Sequence, residues 1–264
     1  MLEIKNISKT FNAGTVNAKT ALDGLSLTLN DGDFVTVIGG NGAGKSTLLN
    51  AIAGVFQIDE GDITLDGVRL NGIPEYKRAK YLGRVFQDPM MGTAADMQID
   101  ENLALAKRRG KRRGLSWGIT SDERREYYSL LKELDLGLED RLTSKVGLLS
   151  GGQRQAVTLL MATLIKPKML LLDEHTAALD PKTAAKVLDI TDRIVNENKL
   201  TTLMITHNMK DAIAHGNRLI MLHHGRVIVD VSGEEKKKLT IDDLMDMFGK
   251  ASGTEFASDR GLLS

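Results

Sequence analysis

Gly39-Gly40-Asn41-Gly42-Ala43-Gly44-Lys45-Ser46-Thr47 fits the phosphate-binding pattern G-x-x-x-x-G-K-[ST]. The apolar run Phe34-Val35-Thr36-Val37-Ile38 precedes it and Leu48-Leu49-Asn50-Ala51-Ile52 follows it. That order predicts strand, glycine loop and helix, the context without which the pattern means little. Gly39, Gly42 and Gly44 allow a tight turn with no Cβ in the way. Successive backbone N–H groups then line an anion-binding concavity, and the helix from Lys45 adds the positive end of its dipole. In such a loop Lys45 is expected to reach the β- and γ-phosphates of a nucleotide, and the Ser46 hydroxyl to ligate Mg²⁺.

Working outward, the segment before the loop reads as β-structure to about residue 38. Ile4, Ile7, Leu25, Leu27 and Leu29 alternate with polar residues, and Asn30-Asp31-Gly32-Asp33 reads as a turn. Phe11 is expected in the loop after the first strand. Such an aromatic either covers the core or stacks on a base, and the residues alone favour the first. Beyond the glycine loop, Ser46 to Gly54 predicts a helix and Gly61 to Gly67 a short strand. Arg84-Val85-Phe86-Gln87-Asp88-Pro89 closes an apolar strand with an amide, which can approach a metal or a water.

Residues 88 to about 165 change to helical spacing, as in Ile99, Leu103 and Ala106, or Leu130, Leu131 and Leu134. The basic run Lys107 to Arg113 reads as a solvated loop or, more specifically, as a contact to anionic lipid or a partner. Trp117 beside it points nowhere by itself. Leu149-Ser150-Gly151-Gly152-Gln153 precedes a helix expected from Arg154 to Leu164, and reads as a second anion-binding helix start. Two phosphate cradles in one chain call for an explanation.

Lys168-Met169-Leu170-Leu171-Leu172-Asp173-Glu174 is apolar until its last two residues, as a strand buried in a parallel sheet should be. Asp173 is expected to hold Mg²⁺, through water because that ion keeps much of its hydration shell. Glu174, one residue on, can orient or deprotonate an attacking water. Thr201 to His207 repeats the design, with His207 placed to hydrogen-bond a γ-phosphate. Ile38, Gln87, Asp173 and His207 all sit at carboxyl ends of strands, where open α/β sheets bind ligands. Arg218 to Val231 reads as two strands around His224-Gly225, Leu239 to Phe248 as a helix, and Gly249 to Ser264 as a mobile tail.

Composition narrows the class. The 264 residues suit one large domain or two small ones, and 42% hydrophobic content suffices for a core. With 35 basic and 35 acidic residues, the balance gives no reason to expect a nucleic-acid partner. The absence of Cys excludes a disulfide framework and a thiolate metal site. No apolar run approaches the ~18 residues of a membrane span, and the N-terminus lacks signal-peptide features. A soluble cytoplasmic protein, with any membrane role exercised through a partner, is the expectation.

Taken together, these motifs resemble those of the ATP-binding subunits of ABC transporters. The phosphate loop, Gln87, Leu149-Ser150-Gly151-Gly152-Gln153, Asp173-Glu174, Ala178-Leu179-Asp180 and His207 stand in that family's order, over residues 1 to about 230. The resemblance implies an α/β, P-loop NTPase fold: a RecA-like core with an antiparallel β-subdomain and an inserted α-helical subdomain at about 88–165. One ABC ATPase domain would span 1–250, followed by a mobile tail at 251–264. The resemblance makes Phe11 the adenine-stacking aromatic. It makes Glu174, His207 and Gln87 catalytic, and Ser46, Gln87 and Asp173 the Mg²⁺ site. It also explains the two cradles: in an ATP-bound homodimer, or with a paired ATPase subunit, Ser150, Gly151, Gly152 and Gln153 of one chain close over the ATP of the other.

The implied partners are an integral-membrane permease and, for an importer, a substrate-binding protein. The implied location is the cytoplasmic face of the membrane, held peripherally. The motifs do not separate importer from exporter. The run Asp173 to Asp180 looks like that of bacterial importers of tryptophan or related amino acids. His175 departs from the Pro usual after the glutamate, and Ala156 and Met161 from common arginines. The competing class is a soluble ABC-type ATPase acting on nucleic acid or ribosomes. Its members carry a coiled-coil insertion or tandem ATPase units, and this sequence has neither.

Overall fold

The computed structural model describes residues 1–111 and 118–252; Arg112, Arg113, Trp117 and the tail from 253 lie outside the described residues. In chain order the elements are β1 (Leu2–Phe11), β2 (Lys19–Leu29), β3 (Phe34–Ile38), α1 (Lys45–Ala53), β4 (Glu60–Leu65), β5 (Val68–Arg69), α2 (Glu75–Arg78), β6 (Leu82–Val85), α3 (Ile99–Lys107) and α4 (Ser121–Glu133). There follow α5 (Gly151–Thr163), β7 (Met169–Asp173), α6 (Pro181–Asn198), β8 (Thr202–Ile205), α7 (Met209–Ala214), β9 (Arg218–His223), β10 (Arg226–Ser232), α8 (Gly233–Lys238) and α9 (Ile241–Ser252). The chain forms two compact units: Met1–Arg78 with the segment from Lys199 onward, and Ala79–Asn198.

The first unit holds an antiparallel sheet in the order β2-β1-β4-β5. Its alternation follows the sequence: Leu2 and Ile4 on β1 face Leu29 and Leu27 on β2, and Leu65 and Ile63 on β4. In the same unit β3 lies between β8 and β9, parallel to both. All five residues of β3 are buried, which is why that segment reads as an apolar run broken only at Thr36. Its one polar residue, Thr36, donates to the Ala212 carbonyl at 2.9 Å. Behind β9 and β10, α7 and α9 bring Met209, Leu244 and Phe248 against Leu219, Met221 and Val231. Each such buried side chain contributes about 1.5–3 kcal/mol by leaving water.

Helix α1 is fixed at its far end too. Gly54 closes it in the left-handed conformation, φ 86°, and the buried Arg78 donates from Nη1 to the Ala51 and Ile52 carbonyls, both at 2.8 Å. A cation at the carbonyl end complements the helix dipole. Burial lowers the Arg78 pKa without removing its charge.

The second unit pairs β6 and β7 in parallel, Val85 opposite Leu172, with α3 to α6 around them. Part of the basic run proves structural. Lys107 is paired with Glu126, Arg108 reaches Glu123 at 3.3 Å, and Arg109 donates to the Ala162 and Ile165 carbonyls at 3.1 and 2.8 Å.

Several boundaries differ from those the sequence suggests. Phe11 is the last residue of β1, held there by pairing with Lys19, rather than a loop residue. Helix α5 starts at Gly151, three residues before Arg154, because Ser150 supplies a side-chain cap. Gln87 and His207 sit two residues beyond the ends of β6 and β8. Residues 249–252 continue α9 instead of opening a tail. The short α8 has no apolar period to announce it. It places Lys236, 2% exposed, with its ammonium on the His215 and Gly216 carbonyls at the end of α7.

Candidate nucleotide site

In the first unit the chain leaves β3 at Ile38 and turns at once into the glycine loop. Gly39 and Gly44 have φ of 151° and 102°, and the space beside them is filled by backbone. A Cβ on Gly39 would lie 2.3 Å from the Leu222 carbonyl oxygen, and one on Gly44 2.5 Å from that of Ala21. The β9–β10 turn braces the loop from outside, with the Gly225 N–H donating to the Ala43 carbonyl at 2.9 Å. Lys45, 8% exposed, folds over the loop and donates from Nζ to the Gly39 and Gly40 carbonyls at 2.8 and 3.3 Å.

Helix α1 has no side-chain N-cap and no acidic residue in its first turn. Its leading N–H groups therefore face no capping side chain and no first-turn carboxylate, which fits a polyphosphate. The Ser46 hydroxyl is exposed on that turn. Because Val37 pairs with Ile205, His207 leaves the same sheet edge as Gly39. It precedes α7, whose cap Asn208 accepts from the N–H groups of Lys210 and Asp211 at 2.9 and 3.3 Å. Burial raises the Asp211 pKa, while His215 and His207 pull it down. Phe11 meets Phe56 edge-on at 5.3 Å between ring centroids, with the Lys9 ammonium 5.8 Å from each ring. Lys9 is itself committed to Asp59 at 2.6 Å, and that bond with the Thr10 N–H holds the Asp59 pKa down.

The second unit carries the carboxylates. The register of β6 and β7 brings Gln87, Asp173 and Glu174 to one edge of that pair. Arg84 Nη2 stands 3.7 Å from Asp173 Oδ2, and the guanidinium stacks on Phe86 at 4.4 Å. Glu174 takes a left-handed φ of 46°, rare for a residue with a side chain and costing about 1–3 kcal/mol. What holds it is visible on both sides. The Ala177 N–H donates to the Glu174 carbonyl at 3.0 Å. The next residue, buried His175, has Nε2 3.1 Å from Thr191 Oγ1. The Thr191 hydroxyl gives its proton to the Val187 carbonyl at 2.8 Å, so it accepts from His175, whose Nε2 carries the hydrogen. The departure from Pro at 175 thus ties the Glu174 turn to α6.

Ser150 caps α5. Its hydroxyl accepts from the Gln153 N–H at 3.3 Å, and Gln153 Oε1 accepts from the Ser150 N–H at 3.2 Å. Gly151 and Gly152 do not have positive φ. Gly152 serves packing instead, since a Cβ there would lie 2.0 Å from Thr183 Cγ2 on α6. Asp180 accepts from the Thr183 N–H at 3.1 Å, and hydrogen bonds from the Thr183 side chain and then its backbone lower the Asp180 pKa.

Sequence reasoning missed Arg84 and Gln155. Gln155 is buried on α5 and donates to the Phe86 carbonyl at 3.0 Å, next to Gln87. An amide inside an apolar helix face was the available signal. Among the described residues no group of three or more His, Asp or Glu forms a metal cage, and no helix is long and apolar enough to cross a membrane.

A phosphate loop on a parallel strand, with an acidic strand end, defines a nucleotide-hydrolysing α/β protein of the P-loop class. Residues 22–177 match the family model described as ABC transporter. The chain is 48% identical to a tyrosine transport ATP-binding protein of Clostridioides difficile, over 94% of this chain and 98% of that one. It is 34% identical to the xylose/arabinose import ATP-binding protein XylG of Sulfolobus acidocaldarius, over 94% of each. Among solved structures it is similar to a dimeric post-hydrolysis state of the ATP-binding cassette MJ0796 bound to ADP and Pi. That match has TM-score 0.75 and 30% identity, over 88% of this chain and 98% of that one. The ADP conformation of the cassette MJ1267 matches with TM-score 0.76 and 28% identity, over 94% and 98%. The chain belongs to the ABC transporter family, as an ATP-binding subunit that hydrolyses ATP.

Proposed function

We propose that this chain is the motor of an importer for an aromatic amino acid, working as an ATP-bound dimer on a separate membrane permease. The likeness along nearly the whole of both chains to a tyrosine transport ATP-binding protein carries the reading. An importer of this kind also takes a substrate-binding protein as partner and holds its motor at the cytoplasmic face of the membrane.

In the proposed site, Lys45 and the N–H groups of Gly39 to Thr47 bind the β- and γ-phosphates, and Phe11 stacks on adenine. Ser46, Asp173 and Gln87 hold Mg²⁺, which neutralises phosphate charge when bound. Glu174 orients and deprotonates the attacking water, and His207 hydrogen-bonds the γ-phosphate. Ser150, Gly151, Gly152 and Gln153 serve the nucleotide of the partner subunit. The left-handed backbone at Glu174 supports its role, since strained residues concentrate where a side chain must be aimed.

Glu174→Gln should keep ATP affinity and lose turnover by at least about 10²-fold, the scale of removing a general base. The same variant, unable to discharge its nucleotide, should dimerise with ATP and stay monomeric with ADP in size-exclusion chromatography with light scattering. Near-normal hydrolysis would refute the role of Glu174. A variant that binds ATP yet stays monomeric would refute the composite site for the isolated chain. Aromatic amino-acid uptake by the reconstituted permease complex, absent for sugars and polyamines, tests the substrate class.

A further inference from the structure

Lys19 opens β2 directly opposite Phe11, as its cross-strand partner. Its ammonium approaches the glycine loop so closely that a Cβ on Gly42 would lie 3.3 Å from Nζ. Three other lysines of the unit show what an ammonium does when the protein itself employs it. Lys45 sits on loop carbonyls, Lys9 on Asp59, and Lys236 on the end of α7. The Lys19 ammonium has no hydrogen bond or ion pair to any described residue, and the residue is exposed. An unspent positive charge therefore stands between the aromatic at the end of β1 and the crown of a loop whose N–H groups already favour an anion.

We propose that Lys19 is a second phosphate-binding cation of the nucleotide site, holding the phosphate chain where it passes from the base toward Lys45. The inference rests on Phe11 and the glycine loop binding the two ends of one nucleotide. Lys19 lies on the path joining them: Phe11 is its neighbour across the ladder and Gly42 its neighbour across space. A lysine suits the position because its three donors are a mobile point charge, able to follow a phosphate without a fixed fork geometry. Nothing in the loop pattern marks it, since it comes 20 residues before Gly39 on a different strand.

The test is the affinity of the whole chain for ADP, which needs no hydrolysis, measured by isothermal titration at low and high salt. Inorganic tripolyphosphate is the second probe, displacing a fluorescent ADP analogue. Lys19→Gln should weaken ADP and tripolyphosphate alike by about five-fold at low salt, the scale of one partly exposed charged contact. Lys19→Glu should weaken both further, and Lys19→Arg should stay near wild type. The gap between wild type and Lys19→Gln should narrow as salt rises, because a surface charge is screened.

The exposed side chain leaves the fold intact in all three variants, checked by unchanged melting. Unchanged ADP affinity in Lys19→Gln would overturn the inference. So would a loss indifferent to salt, confined to ADP with tripolyphosphate unaffected, which would make Lys19 a support for the base. Wild-type protein that binds neither probe would sink the nucleotide-site reading itself, a distinct failure.

Discussion

Helices α1 and α5 both begin at glycines, and they begin differently. At α1 Gly39 and Gly44 take positive φ and press against backbone oxygens. The helix start has no cap, and the nearest cation is folded onto the loop. At α5 the glycines are ordinary in φ, the start is closed by the Ser150–Gln153 capping box, and Gly152 lets a second helix approach. The same residue type thus serves conformation and donor presentation in one place and close packing in the other. The first start is built to receive an anion in a single chain. The second uses Ser150 and Gln153 to satisfy two of its own donors, the N–H groups of Gln153 and Ser150.

Substituting one glycine in each start breaks the comparison most severely at α1. Gly39→Ala brings Cβ onto the Leu222 carbonyl in a backbone conformation that already penalises a side chain. Nucleotide affinity should fall by at least about 100-fold. No side-chain trimming should restore it, because the obstacle is main chain. Gly152→Ala meets only the Thr183 methyl. It should cost about 1–3 kcal/mol of stability by overpacking, and Thr183→Ser, which removes that methyl, should recover most of the loss. Denaturant unfolding of the single and double variants checks this. Full rescue of Gly39→Ala, or no rescue of Gly152→Ala, would erase the distinction.

The same contrast explains what the sequence discloses. The phosphate loop was legible because its function demands particular residues in an unbroken run, with a buried strand before it. The edges carrying Gln87, Asp173 and His207 were legible because apolar strands end abruptly in polar residues. Arg78, Gln155, Thr183 and Lys19 were not, since each acts on a partner far along the chain that spacing does not reveal. Ser150 was found but read only as an anion site, although Ser with Gln three residues later is also a capping box. Phe11 reads as a loop residue because β1 carries three register shifts against β2 that blur its alternation.

The smallest effect separates the two starts most cleanly. Ser150→Ala removes an N-cap and should cost about 1 kcal/mol of stability. In a single chain it should not touch nucleotide binding. Lys45→Ala removes the cation that grips the loop and that the proposed site turns toward the phosphates. The decisive measurement is ADP affinity of monomeric wild type, Lys45→Ala and Ser150→Ala, by titration calorimetry in one buffer. The expected result is that binding collapses in Lys45→Ala and equals wild type in Ser150→Ala. Equal losses in the two variants, or wild-type affinity in Lys45→Ala, would contradict it.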